Sequence, residues 1–397
     1  MVVIGAGLAG VRLARRLGEL GTPVTLVGEE EHRPYNRVLL AEVLAGRYTP
    51  DVIALPAPAA LTRARVTGID RGARTVACAD GSKIAYDTLV LATGSNPVLP
   101  PLRGLFTADH ELPKGVHAFR TMDDCLGLSE AVRPGVKAVV IGGGLLGVSA
   151  ARALAQRGAQ VILAQQSERL MERQLDPSAS KLVRRHLGDL GVEVHTDLRV
   201  RDVRCVGGAV RSVEMADGYT LDAEIVVLAC GVHPRVGLAQ AAGLDVRKGI
   251  VVDDELRTSD PHIHAVGDCA QHAGTVYGLA TPALEQADAL AELLAGRADA
   301  RYTGTRSLTR LTLTGQTAFD LAAFGETEAL PGDDVVQLAD ATRGTYRKVV
   351  VRDDRLVGGV LVGELGTVGA LARAWEGAEP LPAGGPLLHL LTNDGGS

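Results

Sequence analysis

The sequence predicts an α/β protein made of two doubly wound units, followed by a small α+β unit. Three observations carry this. A short apolar strand, Val2-Val3-Ile4, runs into Gly5-Ala6-Gly7-Leu8-Ala9-Gly10 and then into apolar residues at helical spacing. The same order returns later, as Ala138-Val139-Val140-Ile141, then Gly142-Gly143-Gly144-Leu145-Leu146-Gly147, then a helix from Val148 to Arg157. Beyond residue 303 the pattern changes to short strands and one helix.

The glycine turns decide the class. One G-x-G-x-x-G is weak evidence, but two, each between a strand and a helix, are a duplicated dinucleotide fingerprint. The helix N-terminus after each turn offers unpaired N–H groups and a partial positive charge, where a pyrophosphate can sit. The chain is therefore expected to hold two dinucleotides in two Rossmann-type domains.

Within the first unit, Pro23 to Gly28 reads as the second strand, and Glu29-Glu30-Glu31 follows it. Any of these acids could hold a ribose hydroxyl pair; Glu30 lies somewhat beyond the usual separation of roughly 20 residues. Arg33 to Arg37 reads as a loop entering a helix at Val38 to Leu44, and Arg37 could reach the same pyrophosphate. Residues 50–62, rich in proline and alanine, read as a loop. Residues 64–91 read as a β-meander with Asp80-Gly81 as a hairpin signal, ending in the buried strand Leu89 to Ala92 before Thr93-Gly94. The proline- and glycine-rich stretch 100–115 marks a domain boundary.

In the second unit the next strand is Gln160 to Ala164. Ile225 to Ala229, ending at Cys230-Gly231 and Val232-His233-Pro234, echoes Leu89 to Pro97. Asp268 follows a strand and Gly267, a place for a carboxylate to accept from sugar-like hydroxyls. Thr281 as N-cap and Pro282 at the first helical position open a helix running to about Leu294. Strands follow at Thr309 to Thr314, Val335 to Leu338, Tyr346 to Val351 and Leu356 to Leu361. A hairpin turn falls at Asp353-Asp354-Arg355, and Gly366 to Ala374 is helical, with the single tryptophan, Trp375, after it. The expected domains are 1–110 with 235–302, then 111–234, then 303–397, with a loose tail after about Gly384.

Composition narrows the function. Net charge is −6 and the isoelectric point near 6.0, which argues against a nucleic-acid partner. The clusters Arg12/Arg15/Arg16 and Lys181/Arg184/Arg185 read as solvated helix faces. No apolar run is long enough to cross a bilayer, and the first turn comes too early for a signal peptide, so the expected location is the cytoplasm. The five cysteines, Cys78, Cys125, Cys205, Cys230 and Cys269, form no C-x-x-C. That argues against a disulfide framework, a zinc site or a self-contained iron–sulfur cluster, and removes the redox-active cysteine pair of the disulfide reductases; no metal site is expected.

These residues together resemble the two-dinucleotide flavoprotein reductases of the glutathione-reductase type. Among those, the chain is most similar to the FAD module of assimilatory nitrite reductase large subunits and nitrate reductase electron-transfer subunits, with rubredoxin and ferredoxin reductases as near relatives. The resemblance is carried by Pro34 to Leu40, Leu170 to Asp176, Gly249 to Asp268, Tyr277-Gly278-Leu279 with Glu285-Gln286-Ala287, and Tyr346-Arg347-Lys348 with Val357 to Gly363. It implies that Gly5, Gly7, Gly10, Glu30 and Arg37 hold the ADP half of a non-covalent FAD, with Thr93 and Gly94 lining it. It implies that Gly267-Asp268 meets the ribityl chain, and that the helix near Thr281 points its positive end at the flavin pyrimidine. There it favours negative charge by up to ~1–2 kcal/mol. Gly142, Gly144 and Gly147, with Gly231 beside them, would cradle the pyrophosphate of NADH or NADPH.

The chain departs from that family in three places. Gly147-Val148-Ser149 stands where Gly-Leu-Glu is usual. Gln165, followed by Gln166-Ser167-Glu168-Arg169, stands where an acid selects NADH; an amide repels a 2′-phosphate less, and Arg169 could assist one. Glu42 stands where ferredoxin-reductase relatives put a lysine near the flavin, a lysine that can pair with the glutamate replaced here by Ser149. No side chain is expected to act as nucleophile or general acid. The resemblance implies hydride transfer from NAD(P)H to flavin, then electrons to a separate iron–sulfur or haem protein, in nitrite or nitrate assimilation or an analogous system. An NAD(P)H oxidase or diaphorase, and a flavin-binding redox sensor with a degenerate nicotinamide site, are the alternatives. The C-terminal unit, including the segments Thr312 to Asp320 and Leu330 to Asp334, is left to cover the flavin, form a homodimer or dock a partner.

Overall fold

The computed structural model describes residues 1–56, 61–297, 299–306, 308–315, 318–377, 380–381 and 387–392. The expected loose tail after Gly384 lies largely outside the described residues, as do parts of the loop 50–62 and of the segment from Thr312 to Asp320. Contacts divide the chain into two compact units. One comprises Met1–Val98, Arg120–Met122 and Val232–Thr305, and the other Leu99–Phe119, Asp123–Gly231 and Arg306–Ser397.

The first unit is built on a parallel sheet in the order Ile263–Ala265, Leu89–Leu91, Val2–Ile4, Thr25–Gly28, Leu61–Arg63. Val2–Ile4 lies at its centre and is buried at every residue, which is why it reads as a continuous apolar run. Helix Leu8–Glu19 follows and turns Val11, Leu13, Ala14 and Leu17 inward. Its basic face is less solvated than the sequence implies. Arg12 forms a fork with both oxygens of Asp288, at 2.6 and 2.8 Å, and Arg16 reaches Glu292 at 2.9 Å, both on helix Ala280–Leu294. The meander is a separate antiparallel sheet of Val66–Asp70, Thr75–Cys78 and Lys83–Ala85, while Leu89–Leu91 joins the parallel sheet. Leu61–Arg63, expected within a loop, is a strand because Thr25–Gly28 offers it a free edge.

The second unit repeats the scheme. Its parallel sheet runs Val192–His195, Gln160–Ala164, Lys137–Ile141, Ile225–Leu228, Val116–Ala118. Helix Leu145–Gln156 follows the second glycine turn. The same unit holds an antiparallel sheet of Leu308–Thr312, Asp320–Gly325, Arg355–Val362, Thr345–Arg352 and Asp334–Asp340. Asp320–Gly325 is a strand the sequence reading did not separate. The expected hairpin at Asp353 and Asp354 is made with φ of 49° and 56°, the left-handed pair a tight two-residue turn requires. Trp375 lies inside helix Val368–Gly377 rather than after it, packed on Phe324.

Asp176 ties this antiparallel sheet to the nucleotide half of the unit. It caps helix Pro177–Asp189 by accepting from Ala179 N at 3.0 Å, and it also accepts from Tyr346 Oη at 2.6 Å and Lys348 Nζ at 3.1 Å. All three side chains are buried.

Candidate functional site

The first glycine turn divides its labour among three residues. A Cβ at Gly5 would stand 2.1 Å from the carbonyl oxygen of Ala92, and one at Gly10 only 1.9 Å from that of Gly5. These two glycines let strand, turn and helix touch. Gly5 also has φ +112°, which a side chain rarely adopts. Gly7 differs: a Cβ there would meet nothing within 4 Å. Gly7 is the N-cap of Leu8–Glu19, so the open space lies where the helix presents its unpaired N–H groups.

Around that space one cleft is lined by Gly5, Gly7, Glu30, Arg37, Thr93 and Gly94, with Tyr35, Ser95, Arg120 and Arg235 beside them. Glu30 receives both Arg37 and, at 2.7 Å, Tyr35 Oη. Arg37 also donates to the carbonyl of Arg120 at 3.1 Å and lies over the Tyr35 ring. Burial, then the neighbouring Glu30, outweighs Arg37 and pushes the Tyr35 phenol well above its ordinary range, so it stays a donor. Glu29 is held ionised by its hydrogen bond from Arg235. The chain Thr93-Gly94 is pinned to Arg235 twice: Thr93 Oγ1 donates to its carbonyl at 2.8 Å, and its N–H donates to Gly94 O at 2.9 Å.

Asp268 joins this group through Arg120. Arg120 Nη2 reaches Asp268 Oδ2 at 2.7 Å and Ser95 Oγ at 2.6 Å, and Ser95 donates to the same carboxylate oxygen at 2.9 Å. Gly267 has φ +78° and donates its N–H to Gln286 Oε1 at 2.7 Å, so the buried Gln286 fixes the turn that presents Asp268. Arg120 and Ser95 were not legible as site residues, because no motif marks them and they meet the rest only through tertiary contact; Tyr35 and Gln286 lie in stretches that carry the resemblance but had no role assigned there. Thr281 is a correction. Helix Ala280–Leu294 has Leu279 as its N-cap, with no side-chain cap, so Thr281 lies inside the first turn. The start has shifted because the helix begins two residues before Pro282, whose missing N–H costs nothing anywhere in that turn. Glu42, in the short helix Leu40–Leu44, pairs with Arg47 at 3.4 Å.

The second turn repeats the geometry. A Cβ at Gly142, which has φ +109°, would come within 2.4 Å of Ala229 O, and one at Gly147 within 1.8 Å of Gly142 O, whereas Gly144 faces open space. Gly144 is the N-cap of Leu145–Gln156. Gly231, φ +99°, likewise has nothing within 4 Å of a Cβ. Gln165 does not project freely: its Oε1 accepts from Gly143 N at 2.7 Å. Arg169 pairs with Glu328, while its Nε is buried with no partner among the described residues. Ser149 donates to Leu145 O, one turn back in its own helix, at 2.8 Å. Among the described residues, no group of three or more His, Cys, Asp or Glu could hold a metal ion, and no helix is long and apolar enough to cross a membrane.

Comparison with known proteins places this geometry in a lineage. A family model described as pyridine nucleotide-disulphide oxidoreductase matches residues 1–287, and one described as rubredoxin NAD+ reductase C-terminal domain matches residues 309–376. The chain is 35% identical over 377 residues to an assimilatory nitrate reductase electron transfer subunit of Bacillus subtilis, covering 92% of this chain and 47% of that protein. It is 31% identical to a probable ferredoxin reductase of Castellaniella defragrans, covering 90% and 88%. A solved structure of the covalent putidaredoxin reductase–putidaredoxin complex aligns with TM-score 0.86 at 27% identity, covering 98% and 97%. The chain spans about half the length, or less, of several curated nitrate and nitrite reductase relatives. The chain belongs to the pyridine nucleotide-disulphide oxidoreductase family.

Proposed function

We propose that the chain is an FAD-dependent NAD(P)H:acceptor reductase that passes electrons to a separate iron–sulfur or haem protein in the cytoplasm. The carrying observation is the duplicated turn, in which the middle glycine alone, Gly7 or Gly144, faces open space at a helix N-terminus. That opening is what a pyrophosphate needs, and a Cβ would fill it. The domains proposed are 1–110 with 235–302 for FAD, 111–234 for NAD(P)H, and 303–397 as an interface or partner unit.

Bound FAD supplies acceptance of hydride from a nicotinamide and release of electrons one at a time. The chain's own residues bind and orient. Gly5 and Gly10 keep the first strand and helix close, so that Gly7 and the helix N–H groups face the FAD pyrophosphate. Arg37 and Arg120 add positive charge, and Glu30, fixed by Tyr35 and Arg37, accepts from the adenosine ribose. Asp268, held by Ser95 and Arg120, accepts from the ribityl hydroxyls, and Thr93-Gly94 lines the same channel. The N-terminal turn of Ala280–Leu294 presents its positive end. Gly142, Gly144, Gly147 and Gly231 hold the nicotinamide dinucleotide, with Gln165 beside its ribose. None of the five cysteines is in a disulfide, in keeping with a reducing compartment.

Anaerobic stopped-flow mixing of the purified yellow protein with NADH and with NADPH tests this. Rapid bleaching of the flavin, followed by reoxidation by ferredoxins or nitrite or nitrate reductase components, is expected. A colourless protein that cannot be reconstituted with FAD would refute it. One observation favours a second reading: Gln165 is already engaged by the glycine turn, through Gly143 N–H, and Ser149 by its own helix, through Leu145 O. A flavin protein with a degenerate nicotinamide site would hold FAD and fail to bleach.

A further inference from the structure

The nicotinamide-dinucleotide reading of the second turn, on which the inference rests, leaves the choice between NADH and NADPH open. In a dinucleotide unit the residue after the second strand faces the adenosine ribose. An acid there holds both hydroxyls and repels a 2′-phosphate, and a nearby arginine accommodates one. Here that residue is the neutral Gln165, and its amide oxygen is already engaged by Gly143 N–H at 2.7 Å. Its Nε2 makes a long contact with the carbonyl of Arg169, at 3.5 Å. Leu170 packs on the turn, where a Cβ at Gly143 would come within 2.5 Å of Leu170 Cδ2, and Met171 N donates to Gly143 O at 2.9 Å. The segment 165–171 therefore wraps the glycine turn, and Arg169 is carried on that wrap.

Arg169 is the candidate phosphate ligand, and it is engaged elsewhere. Glu328, which follows the strand Asp320–Gly325 of the C-terminal sheet, accepts from its Nη2. The pair is half open to solvent, with side-chain exposures of 26% for Arg169 and 58% for Glu328. Arg169 Nε is buried and, among the described residues, has no hydrogen-bond partner. The buried Nε is closed to an arriving anion and the bond to Glu328 is the solvent-facing one, so a phosphate would have to displace that carboxylate.

We propose that Glu328 is the coenzyme-specificity residue: from the C-terminal sheet it supplies the negative charge that Gln165 lacks, holding Arg169 away from a 2′-phosphate. The site then admits NADPH at a cost set by breaking this pair, and the C-terminal sheet, not the nucleotide-binding strand, sets the preference. The two anions compete for one guanidinium. Removing Glu328 frees Arg169 and removes a like charge from the phosphate's surroundings.

The test is calorimetric titration of the FAD-loaded protein at low ionic strength with 5′-AMP and with adenosine 2′,5′-bisphosphate, which differ only in the 2′-phosphate. Glu328→Gln is expected to raise the ratio of bisphosphate to 5′-AMP affinity about fivefold, the scale of a half-exposed ion pair. The gain should shrink as salt is added. Arg169→Gln in the same background should abolish it. A ratio unchanged in Glu328→Gln, or a gain that survives Arg169→Gln, overturns the proposal while leaving the nucleotide site standing. If the wild-type protein binds neither compound nor NADH, the nucleotide reading itself fails and the proposal with it.

Discussion

The contrast between Gly7 and Gly10 offers the sharpest test of the cradle, because both lie in one turn yet meet different surroundings. A methyl at Gly10 would stand 1.9 Å from the carbonyl oxygen of Gly5, and no real Cβ contact is that short. Helix Leu8–Glu19 would have to withdraw from the turn by about 1 Å. Overpacking of this kind costs ~1–3 kcal/mol or more, against a helix-propensity gain of ~1 kcal/mol for alanine over glycine. A clash this close with backbone belongs at the upper end, so Gly10→Ala should lose about 2 kcal/mol (~3 less ~1), or roughly 4–8 °C in melting temperature for a unit of this size. Gly7 has φ −85° and ψ −168°, which alanine tolerates, and nothing lies within 4 Å of its Cβ. As a poorer N-cap, alanine should cost under ~1 kcal/mol there. Its methyl would, however, separate the backbone from a pyrophosphate. Gly7→Ala should bind FAD at least about tenfold more weakly, ~1.4 kcal/mol. Fluorescence titration of the apoprotein with FAD and thermal unfolding of the same sample separate the two effects. If Gly7→Ala keeps wild-type FAD affinity in a folded protein, the turn does not approach the phosphates and the cradle argument is wrong.

Three further outcomes are expected. Arg120→Met removes the cation from Asp268 and Ser95, and FAD affinity should fall about tenfold with the fold retained, as for a lost charge-assisted hydrogen bond. Arg120→Lys should restore only part of it, and an unchanged FAD titration would remove Arg120 from the site. Asp176→Ala strips the buried acceptor from Tyr346, Lys348 and Ala179, leaving a buried ammonium with, among the described residues, only the Thr327 carbonyl, and should cost ~3–5 kcal/mol in urea unfolding. A loss below about 1 kcal/mol would mean that water replaces it freely. Finally, burial is the leading cause that pushes the Tyr35, Tyr302 and Tyr346 phenols well above their ordinary range. The folded chain then keeps three protons that the unfolded chain releases near pH 10, so stability should hold below that pH and fall above it. The slope is up to ~4 kcal/mol per pH unit, at ~1.36 per group. Flat stability between roughly pH 10 and 11 would contradict this.

The parts of the site that were legible are those fixed by local backbone geometry. Gly5, Gly10, Gly142 and Gly147 announce themselves because no other residue fits beneath a neighbouring carbonyl, and that demand is written within a few residues of chain. Glu30 and Arg37 could be nominated because strand ends and loop entries recur at regular spacing. Arg120 could not. It lies far from every glycine motif and reaches Asp268 only because the segment Arg120–Met122 returns to the first unit. Gln286 lies in a stretch that carries the resemblance, but its bond to Gly267 crosses from helix to turn and no spacing announces it. Thr281 was misread for a different reason. Threonine before proline is a good cap by propensity, but the observed cap, Leu279, offers only its extended backbone, and propensity cannot see that. Leu61–Arg63 became a strand for want of any local signal, because an edge vacancy beside Thr25–Gly28 recruited it.

The two turns are duplicates in backbone but complementary in side chains, and this bears on how firmly each would hold its nucleotide. Ile4 pairs with Val27 in the first sheet and Ile141 with Ala164 in the second, so Gly28 and Gln165 stand at equivalent places. In the first turn the middle residue is Ala6, and a Cβ at Gly28 would collide with its methyl at 2.8 Å. In the second the middle residue is Gly143, and a Cβ there would lie 3.1 Å from Gln165 Cβ. Each pair permits one side chain, contributed by the turn in one unit and by the strand end in the other. The exchange has a chemical consequence. Ala6 adds no polar group to the first turn, and Glu30, two residues beyond Gly28, is engaged by Tyr35 and Arg37. Gln165 instead occupies a backbone donor of the second turn, so a ligand arriving there finds one fewer N–H to bind. On the proposed reading, the first turn thus offers its pyrophosphate one more backbone N–H than the second offers, a difference set by where the side chain was placed.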